Sequence, residues 1–177
     1  MKNKLLEKVL NNFASEVISS AKKNLVDDRK SRGDLYKTLK YEVTVSKDLF
    51  LIDFLMEPYG IFVDKGVKGK TSTYPETQTA LSKFQYGSGT GPKGGLTKGI
   101  KNWLNKKKFQ WRDKDTGRFL SYDAMSFLIA RSIYNKGIKA TMFFSKPYEQ
   151  SLKGLDSKIT KSFFLDIENA IILGTKK

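Results

Sequence analysis

Tyr41-Glu42-Val43-Thr44-Val45-Ser46-Lys47-Asp48-Leu49-Phe50-Leu51-Ile52-Asp53-Phe54-Leu55-Met56-Glu57-Pro58 is the first stretch that reads as strand rather than helix. Its opening six residues alternate apolar and polar, as a half-buried strand requires, because successive side chains point to opposite faces. Leu49 to Glu57 is richer in apolar residues and reads as a second strand, more deeply buried. Ser46-Lys47-Asp48 leaves room for only a tight connection, so an antiparallel hairpin is expected. Pro58 ends the second strand, since it has no N–H to give to a ladder.

On the N-terminal side, Leu5, Leu6, Val9, Leu10, Phe13, Val17, Ile18, Ala21 and Leu25 recur at three- and four-residue steps. That spacing puts them on one stripe of a helix. Asp27-Asp28-Arg29-Lys30-Ser31-Arg32-Gly33 breaks the pattern with a turn. On the C-terminal side, Tyr59-Gly60-Ile61-Phe62-Val63-Asp64-Lys65-Gly66 is a compact aromatic segment closed by glycine. The composition then shifts to Gly, Thr, Ser and Lys from Val67 to Gly99, with Gly87-Ser88-Gly89-Thr90-Gly91-Pro92-Lys93-Gly94-Gly95 at its centre. Leu96–Lys107 reads as a short helix with Ile100, Trp103 and Leu104 on one side. Phe109-Gln110-Trp111 and Arg118-Phe119-Leu120 fit a hairpin around Asp115-Thr116-Gly117.

Ser121 or Asp123 caps a further helix carrying Met125, Phe127, Leu128, Ile129, Ile133 and Tyr134, which ends on Gly137. Thr141-Met142-Phe143-Phe144 reads as an extended link, and Pro147 opens the last helix. Leu152, Leu155, Ile159, Phe163, Ile167 and Ile171 form a near-heptad stripe whose length points beyond its own domain. The expected fold is α+β: an N-terminal helix, a small antiparallel sheet, a long loop-rich insertion and two C-terminal helices. Residues 1–177 are read as one domain with a flexible basic insertion at about 67–120.

What the chain lacks narrows its chemistry. It has no cysteine, which removes disulfides, thiolate nucleophiles and sulfur-ligated metals, and no histidine, which removes the commonest general base and metal ligand. Catalytic residues, cofactors and metals are therefore expected to be none, and the chain is read as a non-enzyme. A metal-dependent nuclease would need converging carboxylates, but Asp27-Asp28 and Asp113/Asp115 fall in turns, where Asp satisfies its own backbone. The glycine tract does not make a phosphate-binding loop either, because Lys93 sits between Pro92 and Gly94 and no buried strand leads in. No apolar run approaches the length of a membrane span, and Met1-Lys2-Asn3-Lys4 opens directly into an amphipathic repeat. Function in, or assembly from, a cytoplasm is expected, without a membrane.

Against 18 acidic residues stand 33 Lys and Arg, a net charge of +15. Such an excess attracts polyanions, whether nucleic acid or an acidic protein surface. A solvated lysine-rich surface with no specific partner is the plain alternative. The densest cluster is Lys98, Lys101, Lys106, Lys107, Lys108, Arg112, Lys114 and Arg118, opposed only by Asp113 and Asp115. Trp103, Phe109, Trp111 and Phe119 are interleaved with it. Basic charge can follow a phosphate backbone while rings stack on bases. The rings are expected instead to anchor the segment to the core, and the charges to meet DNA or an acidic protein.

Three segments carry a resemblance. Tyr59-Gly60-Ile61-Phe62-Val63-Asp64-Lys65-Gly66 is similar to the Tyr-Ala-x-Tyr-Val-Glu-x-Gly-Thr segment of tailed-phage head–tail connector and tail-completion proteins, with Val67 in place of the threonine. Leu128-Ile129-Ala130-Arg131-Ser132-Ile133-Tyr134-Asn135-Lys136-Gly137-Ile138 resembles a helix and turn of such virion proteins. Phe143-Phe144-Ser145-Lys146-Pro147-Tyr148 resembles their lead-in to a last helix. The resemblance implies an α+β protomer of a neck or tail ring of six or twelve copies, seated between a portal or adaptor and the tail. It marks Tyr59, Phe62, Asp64, Gly66, Arg131, Gly137 and Pro147 as motif or assembly residues, and it allows non-specific contact with DNA in the channel. A basic nucleic-acid-binding accessory protein encoded by a phage is the alternative.

Overall fold

A computed structural model describes residues 4–27, 33–46, 49–75, 77, 83–86 and 95–175. The expected turns at Asp28–Arg32 and Lys47-Asp48, and the glycine tract up to Gly94 with its Lys93, lie outside the described residues. Among the described residues there are seven helices and four short strands, an α+β composition. They divide into two compact units, Met1–Asp64 with Thr141–Lys177, and Lys65–Ala140.

In the first unit the N-terminal stripe folds as α1 (Lys4–Asp27) and buries Leu6, Leu10, Phe13, Ala14, Val17, Ile18, Ala21 and Leu25. Each fully buried large side chain contributes roughly 1.5–3 kcal/mol, so this face anchors the unit. A short helix α2 (Asp34–Thr38), not anticipated from the sequence, adds Leu35 to a core with Ile18, Ala21, Leu25, Leu39 and Phe143. The hairpin forms as β1 (Lys40–Val45) and β2 (Phe50–Leu55), antiparallel with Tyr41 opposite Phe54 and Val43 opposite Ile52.

β2 is not the more buried strand. Ile52 and Phe54 face inward with Tyr41 and Val43, whereas Leu51 and Leu55 are exposed on the other face. A two-stranded ribbon covered on one side buries only alternate residues, whatever the composition of the strand. Phe13, Phe54, Phe144 and Tyr148 form an aromatic cluster of mostly edge-to-face pairs, with Phe54 and Phe144 centred 5.2 Å apart.

The aromatic segment after Pro58 is helical, α3 (Gly60–Lys65). The expected extended link Thr141–Phe144 instead turns at Met142, whose φ is 51°. Thr141 N–H donates to Val63 O at 3.1 Å and Met142 N–H to Asp64 O at 3.0 Å. This ties the link to the end of α3.

In the second unit β3 (Val67–Lys68) pairs with β4 (Gly137–Ile138). Between them lie α4 (Gly95–Lys107) and α5 (Tyr122–Lys136). Their core is Ile100, Leu104, Met125 and Ala130. The helix expected at Leu96–Lys107 forms as α4 and supplies Ile100 and Leu104 to this core, while Trp103 stands outside it. Ser121 caps α5, its hydroxyl accepting the N–H of Ala124 at 3.2 Å. Lys70 N–H donates to Tyr134 O at 2.8 Å and Ser72 N–H to Asn135 O at 3.0 Å, covering the carbonyls the helix end leaves open.

The last helix is not continuous from Pro147. It divides into α6 (Ser145–Leu152) and α7 (Leu155–Thr175), separated at Gly154 with φ 78°. Both helices pack on α1, and of the expected stripe Leu155, Ile159 and Ile167 are half-buried, whereas Leu152, Phe163 and Ile171 are exposed.

Candidate functional site

The motif residues Asp64 and Pro147 meet at one helix terminus. Asp64 is only 4 % exposed, and its Oδ1 accepts the N–H of Phe144 at 2.9 Å and of Ser145 at 3.0 Å. The Ser145 hydroxyl donates to Asp64 Oδ2. A carboxylate at the first turn of α6 satisfies donors that the helix cannot pair internally and interacts favourably with the helix dipole. Pro147 is buried in that same first turn, where it displaces no intrahelical hydrogen bond. Tyr59, half out in solvent, accepts the N–H of Leu35 at 2.9 Å through its hydroxyl, and Phe62 is exposed on α3.

Gly66 and Gly137 belong to the second unit, and both take left-handed backbone, with φ 71° and 84°. A Cβ on Gly137 would lie 1.9 Å from the carbonyl oxygen of Val67, and one on Gly66 2.6 Å from that of Ile138. Both glycines are therefore required by the β3–β4 crossing itself. Buried Thr77, unremarked in the sequence, locks the crossing: its hydroxyl donates to Ile138 O at 2.9 Å and accepts the N–H of Ala140 at 3.1 Å. Arg131 projects into solvent from α5.

Of the basic cluster, Lys98, Lys106, Lys107, Lys108, Arg112, Lys114 and Arg118 are exposed. Lys101 is half-buried and pairs with Asp123 at 2.5 Å. The hairpin forms around a bridge between Arg112 and Phe119, with Asp113 N–H donating to Arg118 O at 2.8 Å and Leu120 N–H to Trp111 O at 2.9 Å. Arg112 and Phe119 thus occupy a non-hydrogen-bonded pair, where side chains stand closest, and the guanidinium lies 4.7 Å from the ring centre.

Asp113 closes the turn. Its Oδ1 accepts the N–H and hydroxyl of Thr116, each at 2.8 Å, and the N–H of Asp115 at 3.1 Å. The Thr116 N–H first, and then its hydroxyl, hold the Asp113 carboxyl below the ordinary range. The four rings do not anchor the segment: Trp103, Phe109, Trp111 and Phe119 are all exposed, because the aliphatic side chains of α4 and α5 already fill the core.

Two features of the first unit carry no signal singled out in the sequence. Asp166, only 6 % exposed on α7, accepts the N–H of Leu5 and of Leu6 at 3.0 Å and so caps α1. Beside it Leu6, Phe13, Ile52, Tyr148, Leu155 and Phe163 line an apolar cavity of about 410 Å³. The far side of α7 is uncovered. Phe164 (66 % exposed) and Ile171 (61 %) stand out there with Leu165 and Ile172.

No group of three or more acidic residues that could hold a metal occurs among the described residues. Nor, among them, is any helix long and apolar enough to cross a membrane. Comparison with protein families, curated proteins and solved structures finds no match.

Proposed function

We propose that the chain is a structural subunit of a homo-oligomeric ring in the neck or tail of a tailed phage, joining a portal or adaptor to the tail. The observation that carries the reading is the outer face of α7. Phe164 and Ile171, and likewise Leu165 and Ile172, stand seven residues apart and exposed, while Asp166 on the inner face is fastened to α1. Seven-residue spacing aligns side chains along a helix, so each pair extends one apolar ridge. Exposed apolar patches of this kind mark interaction surfaces. A neighbouring copy is the occupant this reading assigns, and a contact between unlike patches closes into a ring at only one rotation.

The resemblance of Tyr59–Gly66 and of Phe143–Tyr148 to connector segments supports the same reading, as does their convergence on Asp64. In this role the subunit presents faces to its neighbours and performs no chemistry of its own.

The test is native mass and negative-stain imaging of the purified protein, alone and with virions. The expected result is a closed oligomer, or incorporation into particles, either of which Phe164→Glu with Ile171→Glu abolishes while the far-ultraviolet circular dichroism spectrum is retained. A monomer absent from particles, or one that cleaves DNA with a metal ion, would overturn the proposal.

A further inference from the structure

We infer, resting on the ring reading above, that the apolar cavity between α1, β2, α6 and α7 is the socket for the Phe164–Ile172 ridge of a second copy of this chain. The contact is head to tail, between two unlike patches of the same subunit.

Both patches belong to the first unit, and α7 carries them on different sides. Leu155 and Ile159 line the cavity, whereas Phe164 and Ile171 stand exposed on the outer face. One helix cannot turn its outer face into a cavity on its inner side, so a ridge can enter only the cavity of another copy. Leu6 and Phe13 are buried behind the cavity, while Phe50 and Leu152, 37 % and 41 % exposed, reach its mouth. Its volume of about 410 Å³ leaves room for more than one ring-sized side chain, since a cavity of about 150 Å³ holds a benzene molecule.

The lining selects the kind of occupant. Among the eleven described side chains that line the cavity, Tyr148 alone carries a polar atom. Small-molecule sites fix their ligand with several placed polar groups. A lining so uniformly apolar fits the apolar ridge of a protein instead.

Charge points to a copy rather than a foreign partner. The first unit holds 17 Lys and Arg against 14 Asp and Glu, whereas the second holds 16 against 4. An acidic protein or a nucleic acid is therefore drawn to the second unit. Two copies of a chain with net charge +15 repel each other least where they meet through its nearly balanced part, and that part holds both the ridge and the cavity.

Two double variants separate the patches. Phe164→Glu with Ile171→Glu removes the ridge and leaves the cavity; Phe50→Glu with Leu152→Glu blocks the mouth and leaves the ridge. All four side chains are exposed, so both variants should keep the parent's far-ultraviolet circular dichroism spectrum. By native mass each alone is expected to be a monomer, against an oligomer for the parent. Mixed in equal amounts, with one variant isotopically labelled, they should form a dimer of one copy of each and nothing larger, because a single intact ridge and a single intact cavity remain. Cross-linking keeps the test open should a glutamate variant fail to fold. The chain has no cysteine, so Leu152→Cys combined with Phe164→Cys and a short bis-maleimide should give a ladder of linked copies, and either substitution alone should give none.

A mouth variant that assembles like the parent would overturn the inference and leave the ring reading standing, with the ridge seated elsewhere. So would dimers linked through Phe164→Cys alone, which place ridge against ridge. A mixture that stays monomeric, or a double-cysteine chain that gives no ladder, would overturn it too. A parent that is monomeric in concentrated solution would also overturn it, and incorporation into particles would then decide the ring reading by itself.

Discussion

Ser145 reaches Asp64 twice, through its backbone N–H at 3.0 Å and through its hydroxyl, so one buried carboxylate holds the start of α6 to the end of α3. The Phe144 N–H adds a third donor at 2.9 Å. Because these groups are shielded from water, removing the acceptor strands them. Asp64→Ala should lower stability by about 2–4 kcal/mol, the cost of a lost cap plus unsatisfied buried N–H groups. Asp64→Asn keeps one acceptor oxygen and should lose less. The urea midpoint at constant m-value measures both.

Asp166 does for α1 what Asp64 does for α6, from a residue 160 positions away from Leu6. Asp166→Ala should cost about 1–3 kcal/mol. It should also speed hydrogen exchange at Leu5 and Leu6 more than in the middle of α1. Uniform acceleration along the helix would show that the loss is general rather than a lost cap.

These two aspartates also mark the limit of what the sequence shows. Helix α1 is legible because its stripe obeys helical period, and α5 because Ser121 and Gly137 bracket it. Asp64 stands out through resemblance, but its partners lie 80 and 81 residues away, and no local pattern reports such a contact. Asp166 does leave a trace. With Leu155, Ile159 and Ser162 it falls on the inward face of α7, and a lone carboxylate on a buried stripe needs a donor. The exposure of Trp111 and Phe119 is not legible, because sequence counts apolar residues without stating how much core the neighbouring helices already supply.

Two glycines of the second unit should respond oppositely to alanine. Gly137 has φ 84° and no room beside the Val67 carbonyl, so Gly137→Ala should lower stability by about 2 kcal/mol or more through strain and loss of the β3–β4 crossing. Gly99 lies inside α4, and a methyl group added there would meet nothing within 4 Å. Gly99→Ala should therefore stabilise by about 0.4–1 kcal/mol, by restricting the unfolded chain and raising helix propensity. Thermal melts of the two variants beside the parent check the sign of each.

The hairpin at 109–120 should be acid-sensitive through Asp113. The Thr116 N–H and hydroxyl, followed by the Asp115 N–H, favour the ionised carboxylate and hold it below the ordinary value of about 3.9. A depressed folded-state value means that the carboxylate's contribution is fully present above the unfolded value and is lost as pH falls through the folded one. The Thr116 amide resonance should accordingly stay constant from neutral pH down to about 4 and then move with a midpoint below that of an ordinary aspartate. Asp113→Asn retains an acceptor oxygen but no charge. It should remove this acid transition while leaving a weakened turn at neutral pH, visible as reduced protection of the Thr116 amide. A transition that persists in Asp113→Asn would show that Asp113 is not its source.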